Sequence, residues 1–133
     1  MPLTRTGQHR LYKGCAVNRP TLEVFANFAS YLGTSRRQLA GRYVEERQDI
    51  FDIVDSNHLQ QVHEAQRRVL PGYPEAGPNT LQITFSVTPD TLGHYETEVD
   101  RLGLSFSWLS RVAILNGLAI EMEQHQFSPE AVG

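Results

Sequence analysis

The sequence contains a single cysteine, Cys15, among its 133 residues. One cysteine excludes an internal disulfide and a cysteine-based zinc site, and it is typical of a reducing compartment, so we expect a cytoplasmic protein. No apolar run approaches the roughly 18 residues that a membrane span requires, and the first residues lack the apolar core of a secretory signal. We therefore expect neither export nor a membrane partner.

Patterns that carry catalysis are also missing. The sequence has no glycine-rich phosphate loop and no paired carboxylates in a defined setting. The five histidines are His9, His58, His63, His94 and His125. None has the spacing of metal ligands, since His58 and His63 are five residues apart and point in different directions from a helix. We expect no metal, no cofactor and no catalytic residues, and we interpret the histidines as surface side chains.

Charge is divided unevenly along the chain. Residues 1–48 contain eight Lys or Arg against three Asp or Glu, whereas residues 49–133 contain four against twelve. The halves therefore carry +5 and −8, within a net charge of −3. A polyanionic partner is expected to meet the first half, and the acidic second half is a candidate surface for a protein partner.

The chain repeats itself when it is shifted by 70 residues without a gap. Eight of the 38 positions from 11 to 48 are then identical, where chance gives about two or three. The identical pairs are Leu11 and Leu81, Val17 and Val87, Thr21 and Thr91, Leu22 and Leu92, Leu32 and Leu102, Gly33 and Gly103, Ser35 and Ser105, and Leu39 and Leu109.

The second copy has the clearer pattern. Apolar and polar residues alternate strictly over Leu81–Val87, which predicts a half-buried strand. Thr88 is a candidate N-cap, and Pro89 then occupies the first position of a helix. Gly103 is expected to end that helix in a left-handed turn, and Ser105 to cap a second helix. The unit is a strand, a helix, a glycine turn and a helix.

The first copy has the same order. It predicts a strand over Leu11–Val17, a helix capped by Asn18, and a left-handed turn at Gly33. Ser35 and Gln38 have the spacing of a capping box at the start of the second helix.

Several other residues are predicted to belong to the hydrophobic core. Helical spacing favours core packing over base stacking for the aromatic residues Phe25, Phe28 and Tyr31 of the first helix and Trp108 of the last. Cys15 falls on an apolar strand position, so we expect it to be a small core residue rather than a nucleophile.

A strand with two helices cannot bury its apolar face alone, so the two copies are expected to pair. We predict an α+β, mostly helical protein in which the two strands form an antiparallel ribbon within one chain, as an intrachain pseudo-dimer. The predicted segments are a flexible basic arm (1–9), a first repeat (10–50), a linker with a short helix near 56–70 (51–79), a second repeat (80–124) and a mobile tail (125–133).

The segments around 14–35 and 84–105 resemble ribbon-helix-helix DNA-binding domains. The alternating strand and the Leu-Gly-x-Ser turn before the second helix carry the resemblance, which covers about 80 of the 133 residues. The tandem arrangement is similar to fused repressors and to accessory proteins of plasmid-transfer relaxosomes.

This resemblance implies that the ribbon enters the major groove and that the second helix of each copy binds phosphate. The implied base contacts are Gln82, Thr84, Ser86, Arg10 and Tyr12, with Gly14 and Ala16 also on the outward face. The implied phosphate contacts are Thr34, Ser35, Arg36, Arg37 and, more weakly, Ser105. Phe106 and Ser107 stand where the first copy has its two arginines, so the halves are expected to contribute unequally.

Two functions stay open at this point. The first is sequence-specific binding of double-stranded DNA, as a transcriptional repressor or a conjugation accessory factor. The protein would then be a monomer with the architecture of a dimer, and any pairing with a second copy would occur on DNA. The second is a protein-interaction module, such as an antitoxin or an adaptor, in which DNA binding is weak or lost.

Overall fold

The computed structural model describes residues 10–46, 48–51, 55–68, 70 and 77–128. Its elements, in chain order, are β1 (Leu11–Val17), α1 (Arg19–Leu32), α2 (Arg36–Glu46), a 3₁₀ turn (Gln48–Phe51), α3 (Ser56–Arg68), β2 (Leu81–Val87), α4 (Pro89–Leu102) and α5 (Phe106–Gln124). The protein is thus α+β and mostly helical, as the sequence predicts.

The two strands form one antiparallel sheet. Leu11 is paired with Val87 at one end and Val17 with Leu81 at the other, so the strands are aligned over their full length. Both strand ranges and the antiparallel pairing within one chain confirm the sequence prediction. Below, this two-stranded sheet is called the ribbon.

One face of the ribbon is buried along β2 and at Cys15 and Val17 of β1, and the other face is open. Leu11 and Lys13, at the start of β1, are exposed although they share the parity of the buried residues. Ile83, Phe85 and Val87 are buried on β2, while Gln82 and Thr84 between them are exposed. This alternation follows from the period of two in a pleated strand, and it directs the polar side chains away from the helices.

The predicted helix caps are present. The side chains of Asn18, Thr88 and Ser105 accept hydrogen bonds from the backbone N–H three residues later, at 3.0, 3.2 and 3.1 Å. Gly33 and Gly103 end α1 and α4 with φ of 74° and 69°, a left-handed conformation that suits glycine. Local chemistry therefore sets where each helix begins and ends.

The core lies beneath the ribbon and between the helices. Phe25, Phe28 and Phe85 are fully buried there. The prediction that Tyr31 belongs to the core is wrong, since Tyr31 is 55% exposed and stacks on Phe28 from outside, with ring centroids 5.8 Å apart. A side chain one helical turn from a core residue can cover the core while keeping its hydroxyl in water.

Helices α2 and α5 are joined by close packing and by one carboxylate. Gly117 lies against the buried ring of Tyr43, and a Cβ at Gly117 would come within 2.6 Å of the ring Cγ. The hydroxyl of Tyr43 donates to Glu121, and Arg42 donates two hydrogen bonds to the same carboxylate at 2.8 and 2.9 Å. The hydrogen bonds from Arg42 lower the pKa of Glu121. These contacts fix α2, and with it the N-terminus of α2, relative to α5.

Helix α3 packs on α5 through a histidine that the sequence analysis placed on the surface. His63 is half-buried, its ring meets Trp108 at a centroid distance of 5.0 Å, and its Nε2 accepts a hydrogen bond from Arg111 at 3.4 Å. Burial and the nearby charge of Arg111 lower the pKa of His63 to about 4. The surface interpretation is wrong for His63. It was based on the spacing of the histidines in the sequence, whereas His63 is buried by the packing of α3 on α5. His9 lies outside the described residues.

Acid is expected to destabilise the fold through His63. Unfolded histidine takes up a proton near pH 6.5, whereas folded His63 does so only near pH 4. Stability should therefore fall as the pH drops through 6.5 and level off below 4, by roughly 2 kcal/mol after allowance for partial exposure. Urea denaturation of the wild type and of His63→Gln at several pH values checks this. An equal slope of stability against pH in both proteins between 6.5 and 4 would contradict it.

The remaining predicted segments are covered in part. Residues 1–9, most of 71–79 and residues 129–133 fall largely or wholly outside the described chain. The start of the predicted mobile tail, residues 125–128, is described, and Phe127 packs on Phe28 and Tyr31 at 5.1 Å in each case. Among the described helices no single one is long and apolar enough to cross a membrane; α4 and α5 reach that length only together, and they are bent by 111°.

Candidate nucleic-acid interface

The open face of the ribbon carries six residues in three cross-strand pairs. The pairs are Tyr12 with Ser86, Gly14 with Thr84, and Ala16 with Gln82. None of these side chains carries a charge, and those on β2 are short or medium hydrogen-bonding groups. This is the face that the sequence predicts for base contacts.

A shallow groove runs between this face and the start of α2. Its volume is about 410 Å³. It is lined by Leu22, Ser35, Arg36, Arg37, Gln82, Ile83 and Thr84. The fold thus brings two predicted base contacts beside three predicted phosphate contacts, although about 45 residues separate them in the sequence.

The start of α2 is arranged to bind an anion. Ser35 accepts from the N–H of Gln38 at 3.1 Å, and Gln38 Oε1 accepts from the N–H of Ser35 at 3.5 Å, which is the predicted capping box. Thr34 also donates to Gln38, at 3.2 Å. The helix itself provides no acceptor for the N–H groups of Arg36 and Arg37, because these belong to its first turn. Both arginines are exposed, so backbone dipole and side-chain charge act in the same direction.

Arg37 also contacts the ribbon. Its guanidinium carbon lies 5.6 Å from the ring centroid of Tyr12, which is 70% exposed. A cation over an aromatic face at this distance is attracted to it. The contact holds the charge of Arg37 beside the open face and joins a predicted phosphate contact to a predicted base contact.

Gly14 provides the space in which Gln82 lies. A Cβ at Gly14 would come within 2.6 Å of Oε1 of Gln82 and 3.3 Å of the backbone oxygen of Ile83. The sequence analysis places Gly14 on the outward face of β1. The structure gives it a second property, since its lack of a side chain lets the amide of Gln82 lie across the ribbon.

Replacing Gly14 with alanine is therefore expected to displace the amide of Gln82. Because the clashing atom is the end of a flexible side chain, stability should fall by less than about 1 kcal/mol. The side-chain amide signals of Gln82 in an NMR spectrum should shift strongly, and those of the exposed Gln61 on α3 should not. Unchanged Gln82 signals would show that Gly14 does not position it.

Arg10 and Ser86 are bonded to one another rather than open at the ribbon. Arg10 Nε donates to Ser86 Oγ at 2.9 Å, and its Nη2 donates to Glu45 at 2.5 Å. Two of the five residues predicted to contact bases are thus occupied, and only Gln82, Thr84 and Tyr12 present open polar groups. Sequence reasoning missed Glu45, because no local pattern relates it to a residue 35 positions away.

The start of α5 is used differently from the start of α2. Ser107 Oγ accepts the N–H of Ala16 at 2.9 Å, and Arg111 donates to the carbonyl oxygen of Ala16 at 2.7 Å. Arg111 is buried, which lowers its pKa. Phe106 packs its ring on Phe85 at 6.2 Å. Ser105, a predicted weak phosphate contact, is exposed, whereas Ser107 and Arg111 after it bind the edge of β1.

The described residues contain few other reactive or metal-binding side chains. Cys15 is fully buried, and burial raises the pKa of its thiol to about 11, which agrees with a core residue. In the part of the chain that the structure describes, no group of three His, Cys, Asp or Glu side chains is placed to hold a metal ion.

Comparisons with protein-family models, curated proteins and solved structures gave no match for this chain. The ribbon, the groove and the charges around them are therefore the features of this chain that bear on its function.

Proposed function

We propose that this protein binds double-stranded DNA sequence-specifically, as a tandem ribbon-helix-helix protein whose ribbon enters the major groove. Its role would be that of a transcriptional repressor or of an accessory factor in conjugative transfer. The observation that carries the proposal is the groove in which the uncharged polar face of the ribbon adjoins the arginine-bearing start of α2.

The dimensions support this proposal. Paired strands are about 4.8 Å apart, and the major groove of B-form DNA is about 12 Å wide, so it admits a two-stranded ribbon. Gln82 can pair with adenine through both atoms of its amide, and the hydroxyl of Thr84 can serve several bases. The absence of carboxylates from the open face avoids repulsion of the phosphates.

The order of elements supports a tandem arrangement. Each strand is followed by a helix, a left-handed glycine and a second helix, and the matching residues are 70 positions apart. Strands from two such units pair here within one chain, as strands from two subunits would in a dimer. One chain would then supply both halves of a DNA-binding unit.

The net charge of −3 does not oppose the proposal, because DNA responds to the local field at the contact surface. Arg36 and Arg37 are exposed beside the ribbon. The acidic side chains Glu96 and Asp100 are exposed on α4, outside the residues that line the groove.

Gln82→Ala tests the proposal. On a duplex selected from a random pool by the wild type, we expect Kd to rise about tenfold, because a lost bidentate base contact costs 1–3 kcal/mol. On random duplex DNA the change should be less than twofold, and the thermal midpoint should stay the same because Gln82 is exposed. Gln61→Ala, an exposed glutamine on α3, is the matched control and should change neither affinity.

Two outcomes would contradict base reading by Gln82. An equal loss on both DNAs would show that Gln82 touches only the backbone. Failure of the wild type to select any duplex would favour the interaction module, with a protein partner on the acidic half of the chain.

A further inference from the structure

We infer that the preferred DNA site is not palindromic and that the chain binds it in a single orientation, with the α2 side of the ribbon binding phosphate more strongly than the α5 side. This inference rests on the proposed function. It goes further by stating the symmetry of the target and which end of the protein meets which flank of it.

Three arginines that are exposed in the described part of the chain lie on the α2 side of the ribbon. Arg36 and Arg37 begin α2, and both line the groove. Arg19 is exposed at the start of α1, one helical turn before Leu22, which also lines the groove. Residues three apart share a helix face, so Arg19 adds a third positive charge to the same side.

The corresponding positions on the other side, 70 residues later, carry no positive charge. They are Pro89, Phe106 and Ser107, and the position matching Pro20 is the exposed Asp90. The exposed Lys13 of β1 matches the groove residue Ile83 and adds one cation to the α5 side, and the exposed Glu23 follows Leu22 on the α2 side. A symmetric pair of phosphate backbones would therefore meet three arginines and one glutamate on one side of the ribbon, and one lysine and one aspartate on the other.

Arg111 cannot make up this difference. It is the only basic residue of α5, but it is buried and its guanidinium donates to Ala16 and His63. Leaving these partners would break a hydrogen bond to the edge of β1 and leave the Ala16 carbonyl oxygen unsatisfied. The asymmetry is therefore built into the packing rather than into flexible surface side chains.

The open face of the ribbon is also asymmetric, because the outward side chains of β1 and β2 differ. The positions related by the 70-residue shift are Tyr12 and Gln82, Gly14 and Thr84, and Ala16 and Ser86. A palindrome presents the same base edges to both strands. One strand offers a phenol, a hydrogen and a methyl group, whereas the other offers an amide, one open hydroxyl and a second hydroxyl that is bonded to Arg10. Identical half-sites cannot satisfy both sets of side chains, so two different half-sites are favoured.

Selection from a random duplex pool tests the symmetry of the site. We expect a single non-palindromic sequence, bound by one chain. Two palindromes are then built from it by copying each half in inverted orientation over the other, and each should bind at least about tenfold more weakly, since several positions become mismatched. A palindromic selected site, or a palindrome that binds as tightly, would overturn the inference while leaving the proposed function intact.

Tethered cleavage tests the orientation. An iron chelate is attached to Ser30→Cys on α1 or to Asp100→Cys on α4, two exposed positions related by the 70-residue shift. Cys15 is fully buried, so the wild type treated with the reagent is the control. We expect each chelate to cut one flank of the selected site, and the two to cut opposite flanks. Equal cutting of both flanks by either chelate would overturn the inference, whereas recovery of no duplex at all would overturn the proposed function and with it this inference.

Discussion

Replacing Gly117 with alanine is expected to lower the free energy of unfolding by about 3 kcal/mol. The added Cβ would come within 2.6 Å of Cγ and 2.8 Å of Cε1 of Tyr43, whose ring is fully buried. Tyr43 cannot turn away without losing its hydrogen bond to Glu121. Helices α2 and α5 must therefore separate, and urea denaturation measures the cost directly.

Gly93→Ala is the matched control for this prediction. Gly93 lies within α4, is exposed, and has nothing within 4 Å of the position of a Cβ. Alanine there should stabilise the protein by about 0.5–1 kcal/mol, because it restricts the unfolded chain and favours the helix. If Gly117→Ala costs less than 1 kcal/mol, α2 and α5 are not in the close contact described here, and the position of the α2 N-terminus is in question.

The double substitution of Arg36 and Arg37 with alanine is expected to weaken binding to every duplex by roughly tenfold to a hundredfold at about 0.1 M salt. Both arginines are exposed at the start of α2 and line the groove beside Gln82. Each phosphate contact contributes about 0.9 to the slope of log affinity against log salt concentration, so the slope should fall by nearly two. Titration of selected and random duplexes at four or five salt concentrations provides both quantities.

The control removes the same charge elsewhere. Arg67 and Arg68 form a second adjacent pair at the end of α3, and replacing both with alanine should leave the salt slope unchanged. An equal effect of both double variants would mean that only net charge matters. An unchanged slope for the Arg36 and Arg37 variant would remove these residues from the interface.

Much of the fold could be predicted because its signals are local. The alternation over Leu81–Val87 fixes which side chains are buried, and the caps at Asn18 and Ser105 act within three residues. Gly33 ends α1 through its own left-handed conformation. Each of these depends on neighbours in sequence, so the sequence pattern contains the information.

The predictions that failed, and the contacts that were missed, depend on tertiary packing. The sequence predicts a base contact for Arg10 but gives no sign that Glu45 and Ser86 bind its guanidinium. His63 was expected on the surface, but α5 covers it. The replacement of the two arginines by Phe106 and Ser107 shows in the sequence that this side of the ribbon differs, but the burial of Arg111 does not, because a buried arginine needs acceptors that only the folded chain provides.

We propose that DNA binds at the ribbon and the start of α2. The most direct measurement is the change of backbone amide NMR signals when the selected duplex is added to the wild-type protein. We expect the largest changes within residues 12–16, 34–37 and 82–86, with those of α3 and the C-terminal half of α5 nearly unchanged. Changes concentrated on α3 or α4, with the ribbon signals unmoved, would contradict the claim.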